Sequence, residues 1–148
     1  MYGVQGFGSM MHDRVRVDSY VEALEKHVTP ETVVLDIGTG TGIFAFVAAG
    51  LGAKHVYAIE PEPAISVASE IAVANGLADR ITFMNTKSTE VTLPEKADVI
   101  VGDLRGLLPF INYNVPSFID ARERLANPDA VFIPQRDDLF VAPGYAGQ

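Results

Sequence analysis

The feature that most restricts what this chain can fold into is the stretch from Val33 to Phe46, VVLDIGTGTGIFAF. Its opening apolar run, rich in β-branched residues, reads as a buried strand. Three alternating glycines, Gly38, Gly40 and Gly42, break that run, and an Ala-rich helical segment follows from Gly42 to Gly50. A strand that turns through glycines into a helix opens a βαβ unit, and in such sheets ligands sit beyond the carboxyl ends of the strands.

The rest of the chain repeats the alternation. HVYAIE, RITFM, ADVIVGD and AVFIPQ read as four further strands. PEPAISVASEIAVANG begins with Pro and Glu and stops at Asn-Gly, which are helix start and stop signals. NVPSFIDARERLAN reads as another helix, with Asn114 or Ser117 as its cap. Upstream, Val15, Val17, Tyr20, Val21, Leu24 and Val28 recur at helical spacing and predict an amphipathic helix beside the ligand site. Fully apolar strands separated by helices imply a mostly parallel sheet covered on both faces. The expected fold is a doubly wound, Rossmann-like α/β domain over residues 1–134. Residues 135–148, with the strand-like run in DDLFVAPGYAGQ, read as a linker or as the first strand of a second domain; pairing at the sheet edge is the other option.

Composition removes whole classes of chemistry. The 148 residues contain no cysteine, which excludes disulfides, thiolate metal sites and Cys nucleophiles. A formal net charge of −8 with scattered basic residues speaks against a broad nucleic-acid footprint. No apolar run reaches the roughly 20 residues of a membrane span, and no signal peptide is visible, so a cytoplasmic protein with no membrane partner is expected. His12, His27 and His55 share no metal-ligand spacing and read as surface residues, so no metal is expected.

The glycine loop itself narrows the ligand. A dinucleotide fingerprint wants a small residue where this chain has Ile43. Asp36, just before the first glycine, would repel a pyrophosphate but suits a cationic ligand. S-adenosylmethionine has no phosphate and carries a sulfonium, an ammonium and one carboxylate; bare backbone lets its ribose and methionine approach closely. Glu60, ending the second strand, can accept hydrogen bonds from both ribose hydroxyls. A glycine-rich turn with no ligand is the weaker alternative, and an oxidoreductase is a distant one.

VLDIGTGTGIFAFVAAGLGAKHVYAIEP resembles the first two motifs of class I S-adenosylmethionine-dependent methyltransferases. DRVR upstream and TLPEKADVIVGDLRG downstream resemble, more narrowly, the cofactor domain of protein arginine methyltransferases and their bacterial relatives. The resemblance implies that Asp36, Gly38, Gly40, Gly42, Glu60 and Pro61 bind the cofactor. It also implies that Arg16 pairs with the methionine carboxylate, Met10 lines the reacting centre, and Ser88 and Thr89 lie where the adenine is read. Many members carry a glutamate at the position of Thr89. The arginine enzymes also place two glutamates where this chain has Asp103 and Asn112, the candidate catalytic pair here. Asp is one methylene shorter and Asn is uncharged, so a guanidinium acceptor would lose a charge-assisted bond. Arg105 could bind an anionic acceptor or form a surface salt bridge.

The expectation is therefore methyl transfer from S-adenosylmethionine, leaving S-adenosylhomocysteine, by in-line displacement to a protein side chain or a small molecule. Such chemistry needs alignment and water exclusion rather than a metal. A non-catalytic adenosine-ligand-binding module, or a fragment without independent activity, is the competing reading. A homodimer is compatible with either.

Overall fold

The computed structural model describes residues 12–105, 108, 110, 113–142 and 144. Helix α1 (Arg14–His27) leads into β1 (Val33–Ile37), α2 (Ile43–Gly50), β2 (His55–Ile59), α3 (Ala64–Ala74) and β3 (Ile81–Met84). A 3-10 turn (Ser88–Glu90), β4 (Ala97–Gly102), α4 (Asn114–Asp120), a π-helical turn (Ala121–Leu125) and β5 (Ala126–Ile133) complete the order.

The five strands form one parallel sheet in the order β3-β2-β1-β4-β5. The order reverses between β1 and β4, so the crevice at their carboxyl ends is the expected ligand position. This is the doubly wound fold that the apolar strands predict.

Alternation along β1 feeds two cores. Val34 packs with Tyr20, Leu24, Phe44, Ala45 and Ala48 of α1 and α2 on one face. Val33, Leu35 and Ile37 pack with Ile100, Leu125 and Phe132 on the other. Asp36 shares the face of Val34, which aims its carboxylate toward the start of α2.

The structure departs from the sequence pattern at three places. In α1 the buried stripe is Tyr20 and Leu24, whereas Val15 is 81% exposed because the helix turns it away from the sheet. Neither Asn114 nor Ser117 caps α4: Tyr113 holds the cap position without a side-chain bond, and Asn114 is already helical and buried. After Pro134 the described residues to Val141 form no strand; Phe140 is 92% exposed and does not join the sheet edge. Among the described residues no helix is long and apolar enough to cross a membrane.

Candidate functional site

The turn from β1 into α2 is built by backbone conformation first. Gly38, Gly40 and Gly42 all have positive φ, at 72°, 56° and 92°, a region that side-chain-bearing residues enter only at a cost. Space is restrictive as well. A Cβ on Gly42 would lie 2.6 Å from the Phe46 ring and 3.1 Å from Ala68 Cβ; one on Gly38 would collide with Leu104.

Carboxylates pin this loop from two sides. The Asp36 side chain accepts from the Thr39 hydroxyl at 2.6 Å and from the Ala45 backbone N–H. Glu60 accepts from Gly40 N–H and Glu62 N–H, each at 3.0 Å. Gly38 and Thr39 N–H both donate to the Ile59 carbonyl, which joins the loop to the end of β2.

The sequence pattern sets Asp36 against a cationic ligand, but its side chain is only 1% exposed and lies beneath the loop. Its two hydrogen bonds make it the support of the glycine turn. Burial, aided by the nearby Glu60 charge, pushes its pKa up to about 7 against the two hydrogen bonds that favour ionisation.

A pKa raised above the ordinary carboxylate value of 3.8 means the folded state holds a proton that the unfolded chain releases. That contribution to stability is present below pH 4 and lost as pH rises toward 7, by at most about 1.4 kcal/mol per pH unit. Asp36→Asn should therefore gain stability relative to the parent between pH 4.5 and 7.5. Urea denaturation of both proteins at the two pH values checks this; a constant difference would refute it.

At the carboxyl end of β4, Asp103 forms an ion pair with Arg16 from α1. Arg105 Nε lies 3.7 Å from the other Asp103 oxygen. Arg105 itself donates to the Tyr20 hydroxyl at 2.7 Å and to Asp137 at 2.5 Å. Tyr20 stacks on Phe44 with ring centroids 4.5 Å apart, and burial first, then the Asp103 charge, push its phenol up to about 12. Of the two readings for Arg105, the salt bridge is the one the structure forms. Arg16 Nε is buried and has no hydrogen-bond partner among the described residues.

On the β2 side, Ser88 is buried and Thr89 exposed, both in the 3-10 turn, while Pro61 is exposed next to Glu60. Asn85 Nδ2 donates to the carbonyls of Glu60 (2.9 Å) and Glu62 (3.4 Å), which places the 85–90 segment beside Glu60. Met10 and Asn112 lie outside the described residues. Among the described residues no cluster of His, Cys, Asp and Glu could hold a metal ion.

Sequence reasoning missed Asn85, Asp137 and Arg124, and gave Tyr20 only a place in the helical stripe. Each bonds across a long sequence separation, which no local pattern marks.

Comparisons with known proteins agree with this geometry. Residues 6–121 match the family model described as ribosomal protein L11 methyltransferase (PrmA). The protein arginine N-methyltransferase PRMT10 of Oryza sativa subsp. japonica is 39% identical over 136 residues, covering 90% of this chain and 36% of that protein. Protein arginine N-methyltransferase 1 of Schizosaccharomyces pombe is 37% identical over 136 residues, covering 90% and 40%. Among solved structures, Arabidopsis thaliana protein arginine methyltransferase 10 superposes with a TM-score of 0.83 at 33% identity, over 88% of this chain and 38% of that one. The Trypanosoma brucei PRMT1 enzyme-prozyme heterotetramer with AdoHcy gives 0.78 at 33%, over 89% and 42%. The chain thus spans about two fifths of the length of these relatives. With its parallel sheet, its glycine turn and Glu60 at the switch point, this chain belongs to the S-adenosylmethionine-dependent methyltransferase family described by the ribosomal protein L11 methyltransferase (PrmA) model.

Proposed function

We propose that this chain is the donor-binding domain of an enzyme that moves a methyl group from S-adenosylmethionine to a protein side chain. The observation that carries the reading is the loop of three positive-φ glycines, cross-tied by Asp36 and Glu60, at the β1–β4 switch point. The residues fit the donor. Gly38 and Gly42 leave no room for a Cβ, which would run into Leu104 and Phe46, so the bare backbone of the loop keeps its path at the switch point. The partnerless Nε of Arg16 suits a lone carboxylate. Glu60, already facing the Gly40 N–H, suits a ribose diol. The sulfonium supplies an activated methyl group.

The chain's own residues then have three tasks. Arg16 and Glu60 hold the two ends of the donor. Asp103 orients the acceptor and takes its proton. Ile37 and Val101, buried near the carboxyl ends of β1 and β4, give the site an apolar floor that limits water around the methyl group. A protein acceptor is supported by the names of the relatives and of the family, all of which state protein substrates. The shorter Asp103, shared between Arg16 and Arg105, does not favour a guanidinium acceptor over another nitrogen. Residues 135–148 are proposed as the lead into a further domain, in line with the share of the relatives' length that this chain covers.

The test is incubation with methyl-tritiated S-adenosylmethionine and a cell lysate. Chain-dependent label in protein that Asp103→Asn abolishes is the expected result. Binding of the donor without any transfer would favour the competing reading, a donor-binding module inactive alone. That alternative gains support from the ion pairs that occupy Asp103.

A further inference from the structure

Arg124 lies in the π-helical turn before β5, far in sequence from every residue of the glycine loop. Its guanidinium makes four hydrogen bonds. Nε and Nη2 donate to the two Asp120 oxygens at 2.7 and 2.6 Å, a bidentate pair. Nη1 donates to the Val91 carbonyl at 2.9 Å, and Nη2 also donates to the Ser88 carbonyl at 3.0 Å. One side chain, fixed by its own carboxylate, thus grips both ends of the 3-10 turn Ser88–Glu90. The other side of this segment is fixed by Asn85 against the Glu60 and Glu62 carbonyls, and Thr86 Oγ1 donates to Glu90 at 2.9 Å.

The turn is therefore tied to the Glu60–Glu62 segment on one side and to Arg124 on the other. If Glu60 takes the ribose, the group bonded to that ribose falls against this turn, where Ser88 is buried and Thr89 exposed. Thr89 offers a hydroxyl and no carboxylate, so it cannot clamp an amino group strongly; base discrimination must rest on where the turn's backbone stands.

We propose that Arg124, held by Asp120, is a positioning residue that sets selectivity for adenine by fixing the Ser88–Val91 backbone against the purine edge. This rests on the donor-binding reading above. A mere surface ion pair would not spend two donors on carbonyls of a separate segment.

The test is calorimetric titration with S-adenosylhomocysteine and with S-inosylhomocysteine, whose base carries a carbonyl in place of the amino group. The parent chain is expected to prefer the adenine ligand at least tenfold. Arg124→Met keeps the stem and removes the grip. It should weaken the adenine ligand five- to twentyfold while changing the inosine ligand less, shrinking the preference below threefold. Asp120→Asn, which leaves the guanidinium present but unheld, should move selectivity in the same direction by a smaller factor, and it decides the matter should Arg124→Met not fold. Unchanged selectivity in the folded variants, or equal weakening of both ligands, would overturn the proposal. A parent chain that binds both ligands without distinguishing them would overturn the base-reading role of the turn; one that binds neither would overturn the donor-binding reading and the proposal with it.

Discussion

Replacing Gly42 with valine is expected to weaken S-adenosylmethionine binding by at least about thirtyfold. Gly42 has a φ of 92°, which costs a residue with a side chain roughly 1–2 kcal/mol, more when β-branched. The added Cβ would lie 2.6 Å from the Phe46 ring, so α2 must shift or the loop must open; overpacking of this kind costs roughly 1–3 kcal/mol more. Either movement breaks the Gly40–Glu60 hydrogen bond that aligns the cradle. Gly50 is the natural control: it ends α2 with nothing within 4 Å of its would-be Cβ. Gly50→Ala should therefore keep full affinity and hold or raise stability by up to about 1 kcal/mol. Calorimetry and thermal unfolding of the two variants measure both effects. Retained affinity in Gly42→Val would refute the role of the loop.

Arg16→Met is expected to have the next largest effect, and a selective one. A hydrogen bond to a charged partner contributes about 1.5–3 kcal/mol, so S-adenosylmethionine should bind about ten- to 150-fold more weakly. Methylthioadenosine has no amino-acid carboxylate and should bind as well as it does to the parent. Removing Arg16 also leaves Asp103 with Arg105 as its remaining cationic neighbour, at 3.7 Å. A general disturbance of this corner would weaken both ligands together. Equal loss for the two would therefore contradict the assignment of Arg16 to the carboxylate.

What was legible in the sequence was local. VVLDI, the three glycines and Glu60 lie within one βαβ unit, where strand period and turn chemistry fix both shape and position. The parallel sheet followed from uninterrupted apolar strands, which only a sheet covered on both faces can bury. Asp36 was seen, but its depth was not: one place along β1 decides whether a carboxylate faces ligand or core, and here it faces the start of α2. Val15 fits the helical spacing yet stays outside, because the stripe through Tyr20 and Leu24 sets how α1 rolls onto the sheet. The run Leu139–Val141 has strand-like composition but no neighbour to pair with among the described residues.

The contacts that organise the site were the illegible part. Tyr20 meets Arg105 only because α1 lies across the end of β4, and Asp137 reaches Arg105 only after β5 brings the chain back. Arg124 sits in a helical run whose charged residues look like a solvated face, and its two carbonyl partners belong to a turn before β4. Periodicity puts Tyr20 on the buried stripe, but it does not announce the partner of any of these side chains, since partners are chosen by topology.

The measurement that bears most directly on the donor-binding account is calorimetric titration of this chain with S-adenosylmethionine, S-adenosylhomocysteine and NAD. One-to-one binding of the first two, with no heat from NAD, is the predicted result; binding of NAD without the other two would contradict it.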